Sequence, residues 1–182
     1  MRKRVFVILC CFVFLHMPMA TAGTDAICKK RHTDNLDAYF ETDVEHIITC
    51  AKHTEVTDLN FVSTTLDESS PVAILYYNNN ERNSNGFAAV FHLLSKTVKT
   101  LRYATFRVSG GTITPPEAAF MTTRYSFSSI PSIVVYRASA DGVDVSQIRG
   151  HVKNSRDING LYLESLDYIV NVVLRPQSTS PK

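Results

Sequence analysis

The chain alternates short apolar runs with longer stretches in which apolar residues recur every three or four positions. The run at 71–77 is continuously apolar, which is typical of a strand buried on both faces. The next stretch, from Ser84 to about Lys99, has apolar residues at helical spacing, and Ser84 is a good N-cap. Residues 102–108 then predict a second strand. The pattern therefore predicts strand, helix and strand in succession.

The second half of the chain predicts four more elements. A cap, two prolines and an acid at 114–117 begin a short helix that should run to roughly Arg124. The strand after Pro131 ends in a turn-rich stretch, and residues 143–149 form its hairpin partner. Asn154 begins a last helix, whose predicted buried stripe comprises Ile158, Leu161, Leu166, Ile169, Val170 and Val173. The predicted order is β-α-β-α-β-β-α.

Pro131 lies immediately before a β-branched run. A proline has no N–H to donate to a sheet, so it fits the first residue of a strand, and its peptide bond with Ile130 can be cis. With the order of elements, this feature resembles the thioredoxin superfamily across about residues 55–174. The resemblance is carried by residues 72–77, the helix from Ser84, Tyr125-Ser126-Phe127, Ile130-Pro131-Ser132 and Gly150. It implies a thioredoxin-like α/β fold, in which helices flank a central mixed β-sheet.

Within this superfamily, residues 148–151 and the helix after them are most similar to the end of a thioredoxin-type domain of protein disulfide isomerases. The Cys-x-x-Cys motif of the redox-active members is missing, and by register its positions are Glu81-Arg82-Asn83-Ser84. Thiol chemistry needs a thiolate at the helix N-terminus and a second thiol that resolves the mixed disulfide. The aromatic residue before the motif is replaced by Asn80, and the position of the buried carboxylate is Leu75. The resemblance thus favours a protein that is not an enzyme, and no cofactor is expected.

The N-terminus predicts a secretory signal peptide at 1–22. Basic residues at 2–4 precede an apolar stretch at 5–15 that is too short to span a membrane comfortably, and small residues at 20–22 suit cleavage. An uncleaved anchor is the alternative. Cleavage would leave 160 residues with a net charge near −1, because the full chain carries +2 and the removed segment carries three basic residues. No basic run then remains, so neither nucleic acid nor a membrane is an expected partner. The predicted location is the secretory pathway, either the endoplasmic reticulum lumen or outside the cell.

Residues 23–54 are expected to form an N-terminal helical extension to the thioredoxin-like domain at 55–174, and residues 175–182 a short disordered tail. Thr33 or Asp34 is a plausible helix cap. One face of the predicted helix comprises Leu36, Tyr39, Phe40, Val44, Ile47 and Ile48. This face is expected to pack on the sheet or, alternatively, on a partner.

Cys28 and Cys50 flank this helix and are the two cysteines that signal cleavage would leave. In an oxidising compartment such a pair is most simply a disulfide. Two alternatives stay open, which are free thiols or intermolecular pairing, and a zinc site built from Cys28, His32, Cys50 and His53. The spacings of these residues permit zinc without being diagnostic, so the preferred prediction contains no metal.

The resemblance also implies a binding surface. In redox-active relatives, the backbone beside the cis-proline pairs with an extended substrate segment. The peptide-binding residues implied here are Ser129, Ile130, Pro131, Asn80, Glu81, Arg82 and Asn83. No catalytic residue is expected, because His92 and His151, both predicted to face solvent, have no reactive cysteine or serine motif nearby.

The preferred hypothesis is a redox-inactive, disulfide-isomerase-like module of the secretory pathway that binds polypeptides as a chaperone or adaptor. Its partners would be unfolded or extended polypeptides, or a protein partner. One alternative is a thiol-disulfide oxidoreductase that uses Cys28 and Cys50 outside the usual motif. Another is a secreted scaffold or interaction protein that uses the fold only as a support.

Overall fold

A computed structural model describes residues 42–51, 53–67, 70–79, 82–109, 123–126 and 129–174. Its strands are β1 (Thr54–Glu55), β2 (Val72–Asn78), β3 (Arg102–Ser109), β4 (Ser132–Ser139) and β5 (Gly142–Ile148). They form one five-stranded sheet in the order β1-β3-β2-β4-β5. β3 runs parallel to both β1 and β2, whereas β4 is antiparallel to its neighbours β2 and β5. The sheet is therefore mixed, as the sequence predicts.

The helices cover both faces of this sheet. They are α1 (Val44–Ala51), α2 (Phe61–Thr65), α3 (Arg82–Thr97) and α4 (Ser155–Tyr168), and α4 continues as a π-helix (Ile169–Val173). One core cluster joins α1, α3 and α4 to the odd-numbered side chains of β2, and a second joins the even-numbered ones to Tyr125 and Phe61. Every residue of β2 is consequently buried, which explains its continuous apolar run. No helix in the described ranges is long and apolar enough to cross a membrane.

The start of α3 differs from the prediction. α3 begins at Arg82, so Ser84 lies in its first turn and is not the N-cap. The Ser84 side chain is fully buried, and its hydroxyl accepts a hydrogen bond of 3.3 Å from the backbone N–H of Asn78. The prediction that His92 faces solvent is also wrong, since only 2% of His92 is exposed. α3 contacts α1 and α4 as well as the sheet, so positions beside its apolar stripe are covered too.

The last helix begins as predicted, but the residues that it buries differ from the predicted ones. Asn154 is the N-cap and forms a capping box with Asp157. Further on, Ser165 is buried and Val170 is 49% exposed, although the sequence predicts Val170 in the core. Ile169 and Val173, one turn apart, lie on the core side, and Val170, the neighbour of Ile169, lies off that face.

His53, just before β1, gives the fold a pH dependence. Its ring packs edge-on against Phe91 at 4.9 Å between centroids and lies 5.8 Å from Tyr103. Burial, and secondarily the charge of Lys96, lower the pKa of His53 from 6.5 to about 4. In the unfolded chain, the His53 ring would bind a proton as the pH falls through about 6.5. In the folded chain it does so only near pH 4. The stability that neutral His53 contributes is therefore complete above pH 6.5 and is lost as the pH falls towards 4.

We expect the free energy of unfolding to fall less between pH 7 and pH 4.5 in His53→Phe than in the unsubstituted protein. Urea denaturation at the two pH values measures this difference. The carboxylates titrate in both proteins, so their contribution to the pH dependence cancels when the two are compared. Lys96→Met should keep most of the dependence on pH, because burial is the larger cause of the shift. Equal pH dependence in the unsubstituted protein and His53→Phe would contradict this account.

Candidate functional site

A groove of about 660 Å³ opens at the end of the sheet where β4 begins. Its walls are residues 129–131, residues 149–153 and Asn83 in the first turn of α3. The sheet register brings these segments together, because Ser132 pairs with Tyr76 near the end of β2, and Ile133 pairs with Ile148 at the end of β5. Segments that are far apart in sequence therefore meet at one edge.

The first wall is the loop that leads into β4. The Ile130-Pro131 peptide bond is cis, as the resemblance implies, and Pro131 is buried directly before the strand. Ser129 is exposed and Ile130 is half-buried. Within the described ranges, no group forms a hydrogen bond with the main chain of Ser129 or Ile130. Ser129 and Ile130 therefore line the groove with main-chain groups that are not used by the described part of the fold.

The second wall, residues 149–153, is fastened to α3 by two contacts. The Asn83 side-chain oxygen accepts a hydrogen bond of 2.9 Å from the N–H of Val152. The Val152 side chain is buried against Gly86, where a Cβ would lie 2.3 Å from Val152 Cγ1 and 2.5 Å from Val152 Cβ. Sequence reasoning missed both contacts. The only signal was a glycine inside a helical pattern, which often marks a close approach.

The structure brings together four of the predicted peptide-binding residues, since Asn83, Ser129, Ile130 and Pro131 all line this groove. Arg82 is the first residue of α3. The predicted residues Asn80 and Glu81 lie outside the described ranges. The role of all the predicted residues in peptide binding stays a prediction.

Cys50 lies in the last turn of α1 and is disulfide-bonded. The predicted partner, Cys28, lies outside the described ranges, so this pairing stays a prediction. Nε2 of His46, one turn earlier in α1, lies 3.9 Å from Cys50 Sγ. Among the residues that the structure describes, no group of three or more His, Cys, Asp or Glu side chains could hold a metal ion. His32, part of the alternative zinc site, is also outside the described ranges.

A carboxylate that sequence reasoning missed lies at the end of β2. Leu75 is buried among apolar side chains, but α1 places Glu45 beside the last residues of the same strand. Glu45 accepts hydrogen bonds from the Tyr77 hydroxyl at 3.2 Å and from the Asn79 amide at 2.8 Å, and it lies 3.5 Å from the Arg107 guanidinium. Burial, followed by the Glu45 charge, raises the pKa of Tyr77. Glu45 thus ties α1 to the strand that leads towards the groove.

The strand order, the antiparallel β4 and the helices on both faces define a thioredoxin-like α/β fold. Among solved structures, full-length ERdj5 matches with 17% identity and a TM-score of 0.42, over 63% of this chain and 16% of that chain. The Trx4 domain of ERdj5 matches with 16% identity and a TM-score of 0.44, over 63% of this chain and 96% of that chain. Trichomonas vaginalis thioredoxin matches with 10% identity and a TM-score of 0.41, over 62% and 96%.

The chain thus spans about a sixth of full-length ERdj5. No protein-family model matches the chain, and no curated protein matches it either.

Proposed function

We propose that this protein is a polypeptide-binding module of the secretory pathway, which acts as a chaperone or adaptor and performs no redox chemistry at its groove. The observation that supports it most is that Ser129 and Ile130 line an open groove and that their main chain makes no hydrogen bond with any described residue. An extended polypeptide can satisfy such groups as an added strand does, through main-chain hydrogen bonds.

The residues at the Cys-x-x-Cys positions argue against thiol chemistry at the groove. The four positions that would hold a Cys-x-x-Cys motif contain no cysteine. Ser84, at the second thiol position, is fully buried and its hydroxyl is bonded to the N–H of Asn78, so it does not line the groove. A polypeptide bound beside Pro131 would therefore be released unchanged.

The proposed location depends on the N-terminal pattern. Residues 1–22 have the basic, apolar and small-residue regions of a signal peptide. The disulfide at Cys50 supports an oxidising compartment, in which structural disulfides form and persist. Secretion assays of the full chain would test the location separately from binding.

Fluorescence anisotropy with a labelled, permanently unfolded polypeptide tests the binding itself. Ser129→Trp places a large ring at the exposed mouth of the groove and should weaken binding by at least about tenfold, or 1.4 kcal/mol. The matched control is Ser139→Trp, because Ser139 is an exposed serine at the other end of β4. Ser139→Trp should bind like the unsubstituted protein. Equal affinity in all three proteins, or no binding by any, would refute the proposed function.

A thiol-disulfide oxidoreductase that uses Cys50 and Cys28 is the second candidate, and the 3.9 Å contact between His46 and Cys50 favours it. A histidine beside a cysteine can act as the base that activates its thiol. The position of Cys50 at the C-terminal end of α1 opposes it, because the helix dipole is negative there. Insulin reduction that is lost in Cys50→Ser would support this candidate. A disulfide that stays closed across glutathione buffers of the endoplasmic reticulum range would exclude it.

A further inference from the structure

The groove has a basic rim that the proposed function does not explain. Arg149, His151 and Lys153 all line the groove, and all three are exposed. Val152, between the last two, is buried against α3 and fixes the segment that carries them. The charged side chains of Arg149 and Lys153 are therefore held at the groove through a packed residue.

No carboxylate balances this rim within the described part of the chain. Of the described residues that line the groove, none is acidic. The nearest acid in sequence is Asp157. Its carboxylate accepts hydrogen bonds from the backbone N–H groups of Lys153 and Asn154 at 2.8 and 3.2 Å and so stabilises the first turn of α4. Arg149 donates to the neutral Gln147 side chain at 2.9 Å, and no described carboxylate forms an ion pair with it.

We propose that the groove selects extended polypeptide segments that carry Asp or Glu, and this inference rests on the proposed polypeptide binding. The main chain of the segment pairs with Ser129 and Ile130, while its carboxylates meet Arg149 and Lys153 on the opposite wall. Alternate residues of an extended segment lie on one side, so acidic residues at alternate positions present their charges together. The expected ligand is an acidic, strand-like segment.

Three fluorescent peptides of equal length test the selectivity. They share alternating apolar residues and carry Glu, Gln or Lys at the positions between. Anisotropy titration at low salt should give the Glu peptide an affinity about three- to tenfold above the Gln peptide, the effect of two exposed ion pairs, with the Lys peptide weakest. The preference should shrink at 1 M salt, where screening acts over about 3 Å.

Charge reversal on the protein gives a second readout. In the double variant Arg149→Glu/Lys153→Glu, the Lys peptide should bind more tightly than the Glu peptide. Lys153→Glu alone should reduce the preference, and Lys99→Glu is its matched control, because Lys99 is also exposed but does not line the groove. Lys99→Glu should bind the three peptides in the same order of affinity as the unsubstituted protein.

The outcomes separate the two proposals. Equal, salt-independent binding of all three peptides would overturn the acidic selectivity and leave polypeptide binding intact. Retention of the Glu preference in the double variant would also overturn it, since the preference would then come from elsewhere. Binding of none of the peptides would overturn the proposed function and the selectivity together. The salt dependence of the unsubstituted protein decides the question even where a variant fails to fold.

Discussion

Gly86→Ala is expected to lower the free energy of unfolding by about 2 kcal/mol, the range of an overpacked core. The added methyl group would lie 2.3 Å from Cγ1 and 2.5 Å from Cβ of Val152. The Cβ atom cannot rotate away, so the backbone of residues 149–153 must move. The movement also breaks the bond between Asn83 and the N–H of Val152. Thermal unfolding should show a melting temperature lower by roughly 4–8 °C.

Gly160→Ala is the matched control. Gly160 also lies inside a helix, α4, but no atom lies within 4 Å of a Cβ added there. Alanine is a better helix former than glycine, so this substitution should stabilise the protein by about 0.5–1 kcal/mol. A stabilising effect of Gly86→Ala as well would show that α3 and residues 149–153 are not packed as described.

A double-mutant cycle assigns the cost to the contact itself. Val152→Gly destabilises the protein alone, since it removes a buried side chain, but it also removes the atoms that an alanine at 86 would meet. Gly86→Ala should therefore cost much less in the Val152→Gly background. Because residues 149–153 form one wall of the groove, Gly86→Ala should also weaken polypeptide binding, whereas Gly160→Ala should not.

The elements that could be predicted from the sequence are those that are buried on one side, or on both sides, along their whole length. β2 is buried on both faces and is apolar from Val72 to Tyr77, and the cap of α4 is a local interaction between Asn154 and Asp157. β1 was missed because it has two residues, both exposed, and so carries no apolar pattern. The solvent-facing prediction for His92 failed because α3 is packed against α1, α4 and the sheet, and the apolar pattern of α3 alone does not show how much of its surface they cover.

The site was predicted in part, and only where the resemblance supplied it. Residues 129–131 and Asn83 were named from the proline loop and the missing motif, and they do share one groove. The wall at 149–153 was not predicted, because its position depends on a contact between Gly86 and Val152, which are far apart in sequence. Exposed basic residues carry no local pattern that would reveal which surface they border.

Tyr136→Phe is expected to destabilise the protein by about 2 kcal/mol, because it removes two buried hydrogen bonds. The Tyr136 hydroxyl donates to the backbone carbonyl of Tyr125. Its proton is thereby used, so Tyr76 must be the donor in the 2.8 Å bond between the Tyr76 and Tyr136 hydroxyls. Burial raises the pKa of both tyrosines, so both stay protonated and the direction of these bonds persists at ordinary pH.

Tyr76→Phe is the control that tests this direction. It removes only the first donor, and the Tyr136 hydroxyl still donates to the Tyr125 carbonyl, so the cost should be about 1 kcal/mol or less. Urea denaturation of both variants measures the difference. Equal losses would mean that the Tyr136 proton points to Tyr76 instead.

The same pair of variants links this buried chain of hydroxyls to the groove. Tyr125 immediately precedes Ser126, whose φ of 58° lies in the left-handed region. The Tyr136 bond therefore holds Tyr125, which is four residues before Ser129 in the sequence. Tyr136→Phe should weaken polypeptide binding at temperatures where the protein is still folded, and Tyr76→Phe should not. Unchanged binding in both would mean that Ser132 and the rest of β4 position the loop without help from Tyr125.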